Sequence, residues 1–204
     1  MLREKTSWST MALGVLLLCG AVMFISPFPA HGAVRRICGG VSLPEHEQAF
    51  GVNLQLNGMG IRTVTIFSIH IYVAGLYLEK PTRSPTEVLR RNRAKAISMV
   101  FVRNATRTQM VDTMRDVIAK QEPTIRAAAR KNLPDLERRL PEPRKGGKMT
   151  VAYRPGHGLE LRHNGKVTGT WNDDALAELL FRVWLGSRPA DSDLKAGLLG
   201  GECD

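Results

Sequence analysis

The chain has 204 residues, 43% of them apolar, and 29 Lys and Arg against 19 Asp and Glu give a formal net charge of +10. About 170 residues beyond the N-terminal segment suffice for one domain with a sizeable core. The three cysteines are too few and too scattered for a zinc site, His31 and His46 included, so no metal is expected.

The start reads as targeting. Arg3 and Lys5 precede an uncharged apolar run from Met11 to Ile25, Ser26-Pro27-Phe28-Pro29 breaks any helix, and Ala30-His31-Gly32 offers small residues for a signal peptidase. The run is short for a bilayer span of about 20 residues. Residues 1–32 are therefore expected to be a cleaved secretory signal and 33–204 the exported domain, periplasmic or secreted; an uncleaved membrane anchor is the alternative. Cys19 follows three leucines with no small residue before it, which argues against a lipoprotein signal. The excess of cations then reads as a soluble basic surface rather than a nucleic-acid site, with attraction to an anionic membrane surface or acidic partner as the sharper alternative. Cys38 and Cys203 survive cleavage and either pair, tying the two ends together, or lie in frayed termini.

Residues 34–50, with Gly39-Gly40 and Pro44, read as a lead-in with one edge strand. Residues 51–56 alternate and read as a strand entering a turn at Asn57-Gly58. From Leu56 to Leu78 runs a long stretch of β-branched and aromatic residues that is too long for one strand. It predicts two strands folding back near Phe67–Ser68. Residues whose numbers sum to about 134 then face each other, which sets Arg62 opposite Tyr72. Arginine among apolar residues is costly to bury unpaired, so it must meet an anion, a carboxylate side chain or water. A guanidinium beside a phenol is a natural grip for an anionic or carbonyl oxygen. His70, in the same apolar run, has the best claim of the five histidines to burial, as a hydrogen-bonded structural residue.

Ser84-Pro85-Thr86-Glu87 opens a short helix running into Arg90, Arg91, Arg93 and Lys95, cations that complement a helix C-terminus or bind phosphate. Residues 96–102 read as a buried central strand. Thr106 and Gln109 form a second capping box, followed by Met110, Met114, Val117 and Ile118 on one helical face, as core filler or as adaptable lining of an apolar pocket. A basic helical stretch over 124–140 is broken at Pro134. Three strands follow, over 148–153, 159–162 and 166–171, the last two joined by Asn164-Gly165. Asn172 caps a helix with a wide apolar stripe, Gly186 ends it, and a last turn of helix spans 191–199. The element order predicts an α+β fold, a large antiparallel sheet with helices gathered on one face. There is no Gly-x-Gly-x-x-Gly, no Gly-x-Ser-x-Gly elbow and no carboxylate pair placed for acid/base work, so neither a dinucleotide cofactor nor nucleophilic catalysis is expected.

The segments LNGMGIR, IYVAGLYLE, ISMVFVRNAT, YRPGHG with the following NGK, and DDALAELLFRVWLGSRPADSDLKAGLLG together resemble the bacterial chalcone isomerase-like proteins, over Val34 to Gly200. The resemblance implies an open-faced β-sandwich with a cleft between sheet and helices. Plant members close a chalcone into a flavanone by intramolecular addition of a phenolate oxygen to an enone; related plant members bind fatty acids in the same cleft. It further implies that Arg62 takes the place of the arginine that orients the anionic substrate. Tyr72 stands where the isomerases carry a catalytic threonine and where the fatty-acid-binding relatives use tyrosine. Thr108 and Arg115 stand at the tyrosine and asparagine of the isomerase cleft, and Val183 at a hydroxyl residue. With one of five expected polar groups present, the resemblance favours a non-catalytic binder of a small amphipathic anion, fatty-acid-like, over an isomerase acting through Arg62 on a phenolic ligand. An envelope interaction module with a basic surface is the third reading.

Overall fold

The structure is a computed structural model and describes residues 35–64 and 68–203. The expected signal over 1–32 and the tip of the fold-back at 65–67 lie outside the described residues. Seven strands form one antiparallel sheet in chain order: β3 (His46–Ala49), β4 (Val52–Val64), β5 (Ile69–Leu78), β6 (Lys95–Phe101), β7 (Lys148–Arg154), β8 (Gly158–His163) and β9 (Lys166–Trp171). A separate hairpin pairs β1 (Arg35–Cys38) with β2 (Val41–Pro44). Between β5 and β6 lies α1 (Pro85–Leu89); between β6 and β7 lie α2 (Arg107–Ala119), α3 (Pro123–Ala128) and α4 (Leu133–Arg139). After β9 come α5 (Asp174–Leu185) and α6 (Ser192–Leu198).

The expected α+β architecture is therefore present, with three differences of detail. Residues 35–49 hold three short strands rather than one. The cap of α5 is Asp173, whose carboxylate accepts from the Leu176 amide at 2.9 Å, one residue after the expected Asn172. The third difference has a functional consequence: Asn57-Gly58 is not a turn. β4 runs straight through it, and Asn57 is the extra residue of a bulge opposite the Leu56–Tyr77 and Gly58–Leu76 pairs. Its side chain donates to the Leu198 carbonyl at 2.8 Å and accepts the Thr82 amide at 2.8 Å. A Cβ on Gly58 would stand 2.7 Å from both the Gly200 nitrogen and the Leu198 carbonyl, and one on Gly60 would stand 2.8 Å from the Leu194 carbonyl. These glycines let the backbone of α6 lie directly on the strand.

The sheet separates two cores. Toward the helices point Leu76, Ile97, Met99, Phe101, Met149, Val151, Tyr153, Leu159 and Leu161, packed against α2 and the apolar stripe of α5. The opposite face carries Leu54, Leu56, Met59, Ile61, Val73 and Tyr77, covered by Leu43 and the β1–β2 hairpin. The sheet curls far enough for Arg154 and Arg162 to donate to the Phe50 and Gln48 carbonyls at 2.9 and 2.7 Å, and for Lys148 to pair with Glu47 at 2.6 Å. Cys38 and Cys203 form a disulfide that closes this face across 165 residues.

Of the four cations after α1, Lys95 is buried on the sheet. Its ammonium donates to the Val88 and Arg90 carbonyls at 2.6 and 2.7 Å and lies 5.0 Å from the Tyr153 ring centre, serving the helix C-terminus as expected of the group. Burial pulls its pKa down to about 8. Arg91 pairs with Glu178.

Candidate ligand-binding site

Arg62 faces Tyr72 across the β4–β5 pair, the register set by centring the fold-back at residue 67. Immediately beyond, Thr63 pairs with His70, so Ile71 is the extra residue of a second bulge. The bulge reverses the alternation. Tyr72, Ile71 and Ile69 all reach the helix-covered side, and His70 is turned outward and exposed, contrary to the burial expected from its apolar neighbours. This end of the hairpin, with the ends of β6 and β7 and the inner faces of α2 and α5, encloses a cavity of about 500 Å³. Its deep wall is apolar: Met99, Phe101, Met149, Val151, Leu180 and Val183, with Met110 and Met114 from α2. Arg103, Asn104 and Gln109 lie at its rim.

The polar end is assembled from four elements. On β4 the residues facing the helices are Gly58, Gly60 and Arg62. The two glycines draw α6 onto the strand, and the N-cap of that helix, Asp191, lands on the third. Asp191 Oδ2 accepts from Arg62 Nη1 at 3.2 Å and from the Thr63 amide at 3.1 Å. The same Nη1 donates to the Thr63 carbonyl. Nε and Nη2 of Arg62 have no partner among the described residues. From α5, Trp184 donates its indole N–H to the Tyr72 oxygen at 3.0 Å. Indole nitrogen is a donor only, so Tyr72 accepts there and its own proton has no acceptor among the described residues. Burial pushes the phenol up to about 12, with Asp191 adding to the rise and the Trp184 bond and Arg62 opposing it. Tyr72 is thus a neutral donor at ordinary pH. Its ring is held edge-on by Phe101 at 5.7 Å.

The structure brings Arg62, Tyr72 and Val183 to one cavity and leaves Thr108 and Arg115 outside it. Thr108 is exposed on the outer face of α2, and Arg115 forms a forked pair with Glu137. The cavity-facing polar residues of α2 are Gln109 and Thr113 instead. The Met110–Met114 stripe could have found them, because on a helix it fixes which neighbours share its face. Asp191 and Trp184 were missed as partners of the grip; no local signal links positions so far apart in the chain. Among the described residues no cluster of His, Cys, Asp and Glu is placed to hold a metal ion.

A family model described as chalcone isomerase-like matches residues 36–200. No curated protein matches the chain. Among solved structures, a fatty-acid binding protein of Arabidopsis thaliana superimposes with a TM-score of 0.64 at 14% identity, over 81% of this chain and 96% of its own. That likeness is one of fold.

Proposed function

The chain belongs to the chalcone isomerase-like family, and from that premise we propose that it binds, without turnover, an amphiphile of the fatty-acid kind whose head group meets Arg62 and Tyr72. The observation that carries the reading is an apolar cavity of about 500 Å³ with unused donors gathered at one end. Ligand sites are commonly concave and mostly apolar, with a few polar groups that fix orientation. The phenol proton of Tyr72 and the Nε and Nη2 hydrogens of Arg62, without partners among the described residues, are such groups, and methionines around the cavity suit a tail of variable shape. The solved relative is itself titled a fatty-acid binding protein, which is consistent with this reading. We also propose that the protein works outside the cytoplasm. The N-terminal pattern of charge, apolar run and small residues supports export, and the Cys38–Cys203 disulfide fits an oxidising compartment.

Native mass spectrometry of the protein purified from its own host, followed by denaturing extraction, tests the ligand. A stoichiometric amphiphile is expected with the wild type and absent from Arg62→Ala. Unchanged affinity for such an amphiphile in a folded Arg62→Ala protein would sink the assignment.

A further inference from the structure

The charge of Arg62 is already matched before any ligand arrives. Asp191 offers Oδ2 to Arg62 and Thr63 at 3.2 and 3.1 Å, and Oδ1 to the Asp193 and Leu194 amides of α6, each at 3.0 Å. Four donors fix this carboxylate in place. The side chains of the pair are 14% and 10% exposed. Around them, β5 presents Tyr72, with His70 turned to the other side, and α5 presents the uncharged Trp184. From α6 comes Asp193, exposed and taken up by the Ser192 hydroxyl; Arg103 lies at the exposed rim of the cavity. Among the described residues the covered polar end therefore holds one cation and one anion, and their charges cancel.

A ligand carboxylate entering as an anion would add a negative charge to an end whose one covered cation is already matched, against a wall of Phe101, Val183 and methionines, with Arg103 out at the solvated rim. Covering an unbalanced charge there is costly. An uncharged carbonyl oxygen meets the same donors, the Tyr72 phenol and the unused Arg62 N–H groups, without that cost. We propose that Asp191 is a specificity-determining residue that sets the site for an uncharged oxygen head group: an ester, amide or aldehyde carbonyl, or a fatty acid held un-ionised. This inference rests on the amphiphile reading above and adds the charge state in which the head group is held. A fatty acid, ionised in neutral water, then takes a proton from solvent as it binds, so that the carboxylate and one H⁺ enter together as the neutral acid.

Isothermal titration calorimetry of the full chain with decanoic acid and its methyl ester tests this, in buffers of different ionisation enthalpy between about pH 5 and pH 8. For the wild type, ester affinity is expected to be flat with pH. Acid affinity should fall about tenfold for each pH unit above the acid's own pKa, with about one proton taken up per acid bound. In Asp191→Asn the single amide oxygen keeps the N-cap, the amide nitrogen replaces the acceptor that Thr63 and Arg62 shared, and the Arg62 charge is released. Proton uptake should then vanish, and at about pH 8 the preference should swing toward the acid by about tenfold or more. Wild-type acid binding that is flat with pH, without proton uptake and tighter than the ester, would overturn the inference while leaving the amphiphile reading intact. Binding of neither probe would overturn both. The proton count on the wild type decides even if Asp191→Asn does not fold.

Discussion

The two faces of the sheet are made by the same strands and end in opposite states. On the hairpin-covered face, Gly75, Ala96 and Ala152 are small where Leu43, Leu56 and Tyr77 are large, and the side chains close on one another: a Cβ on Gly75 would lie 2.8 Å from Leu43 and 2.9 Å from Leu56. The Tyr77 hydroxyl finds the Pro44 carbonyl at 2.9 Å. On the helix-covered face the lower half is equally full, with Leu76, Ile97, Tyr153 and Phe181 almost without exposure. Its upper half is not filled. There a bulge, a guanidinium, a phenol and four methionines surround open space. Interiors are normally packed to crystal density, and voids destabilise. A chain that closes one face and half of the other leaves the remaining space for a reason, and the unused donors at its edge supply one.

The contrast is tested most forcefully at the disulfide, which belongs to the closed face. Replacing Cys38 and Cys203 by alanine frees a loop of 165 residues, and the chain-entropy picture puts the loss at about 5 kcal/mol. Chemical denaturation should show that loss, whereas ligand affinity measured under conditions where the variant is folded should be unchanged, because neither cysteine touches the cavity. A change in affinity would mean that the two faces are coupled. Truncating one leucine on each face sharpens the comparison. Leu56→Ala, in the filled core, should cost about 4 kcal/mol, and Leu180→Ala, beside space that already exists, about 2 kcal/mol. Equal costs in urea titrations would argue that the cavity collapses in solution.

How much of this the sequence revealed depends on the range of the interaction. The fold-back and the Arg62–Tyr72 pairing were legible because β-branched residues favour strands and register fixes opposite numbers. The I′ turn at Asn164-Gly165 was equally local: both residues have positive φ, 48° and 81°. Asn57-Gly58 carries the same dipeptide and misled, because Gly58 is small for the sake of α6, some 140 residues later in the chain. His70 misled for a related reason. A bulge changes which side a residue faces, and nothing in its neighbours announces one. Thr108 and Arg115 were misplaced by helical phase, since one residue along α2 turns a side chain by about 100° and two residues put it on the opposite face, as Arg115 is from Thr113. Arginine chemistry required a partner for Arg62 and left open which kind; only the docking of α6 on two glycines selects Asp191.

The smallest effect tests the donor role of Tyr72. Tyr72→Phe keeps the ring against Phe101 and removes one oxygen, leaving the Trp184 N–H without its acceptor. The expected cost is about 1 kcal/mol of stability, with a loss of about tenfold in affinity for an oxygen head group. The pH dependence separates this from a packing effect. The folded phenol is pushed up to about 12 against an ordinary 10.0, so the folded state favours the neutral form. That contribution is complete below the unfolded value and is lost as pH rises from about 10 toward about 12. Tyr153 is also pushed up to about 12 by burial, so the alkaline decline in stability should shrink in Tyr72→Phe without disappearing. An unaltered alkaline slope would mean that the phenol is better solvated than its surroundings allow. The grip would then rest on Arg62 and Asp191 alone.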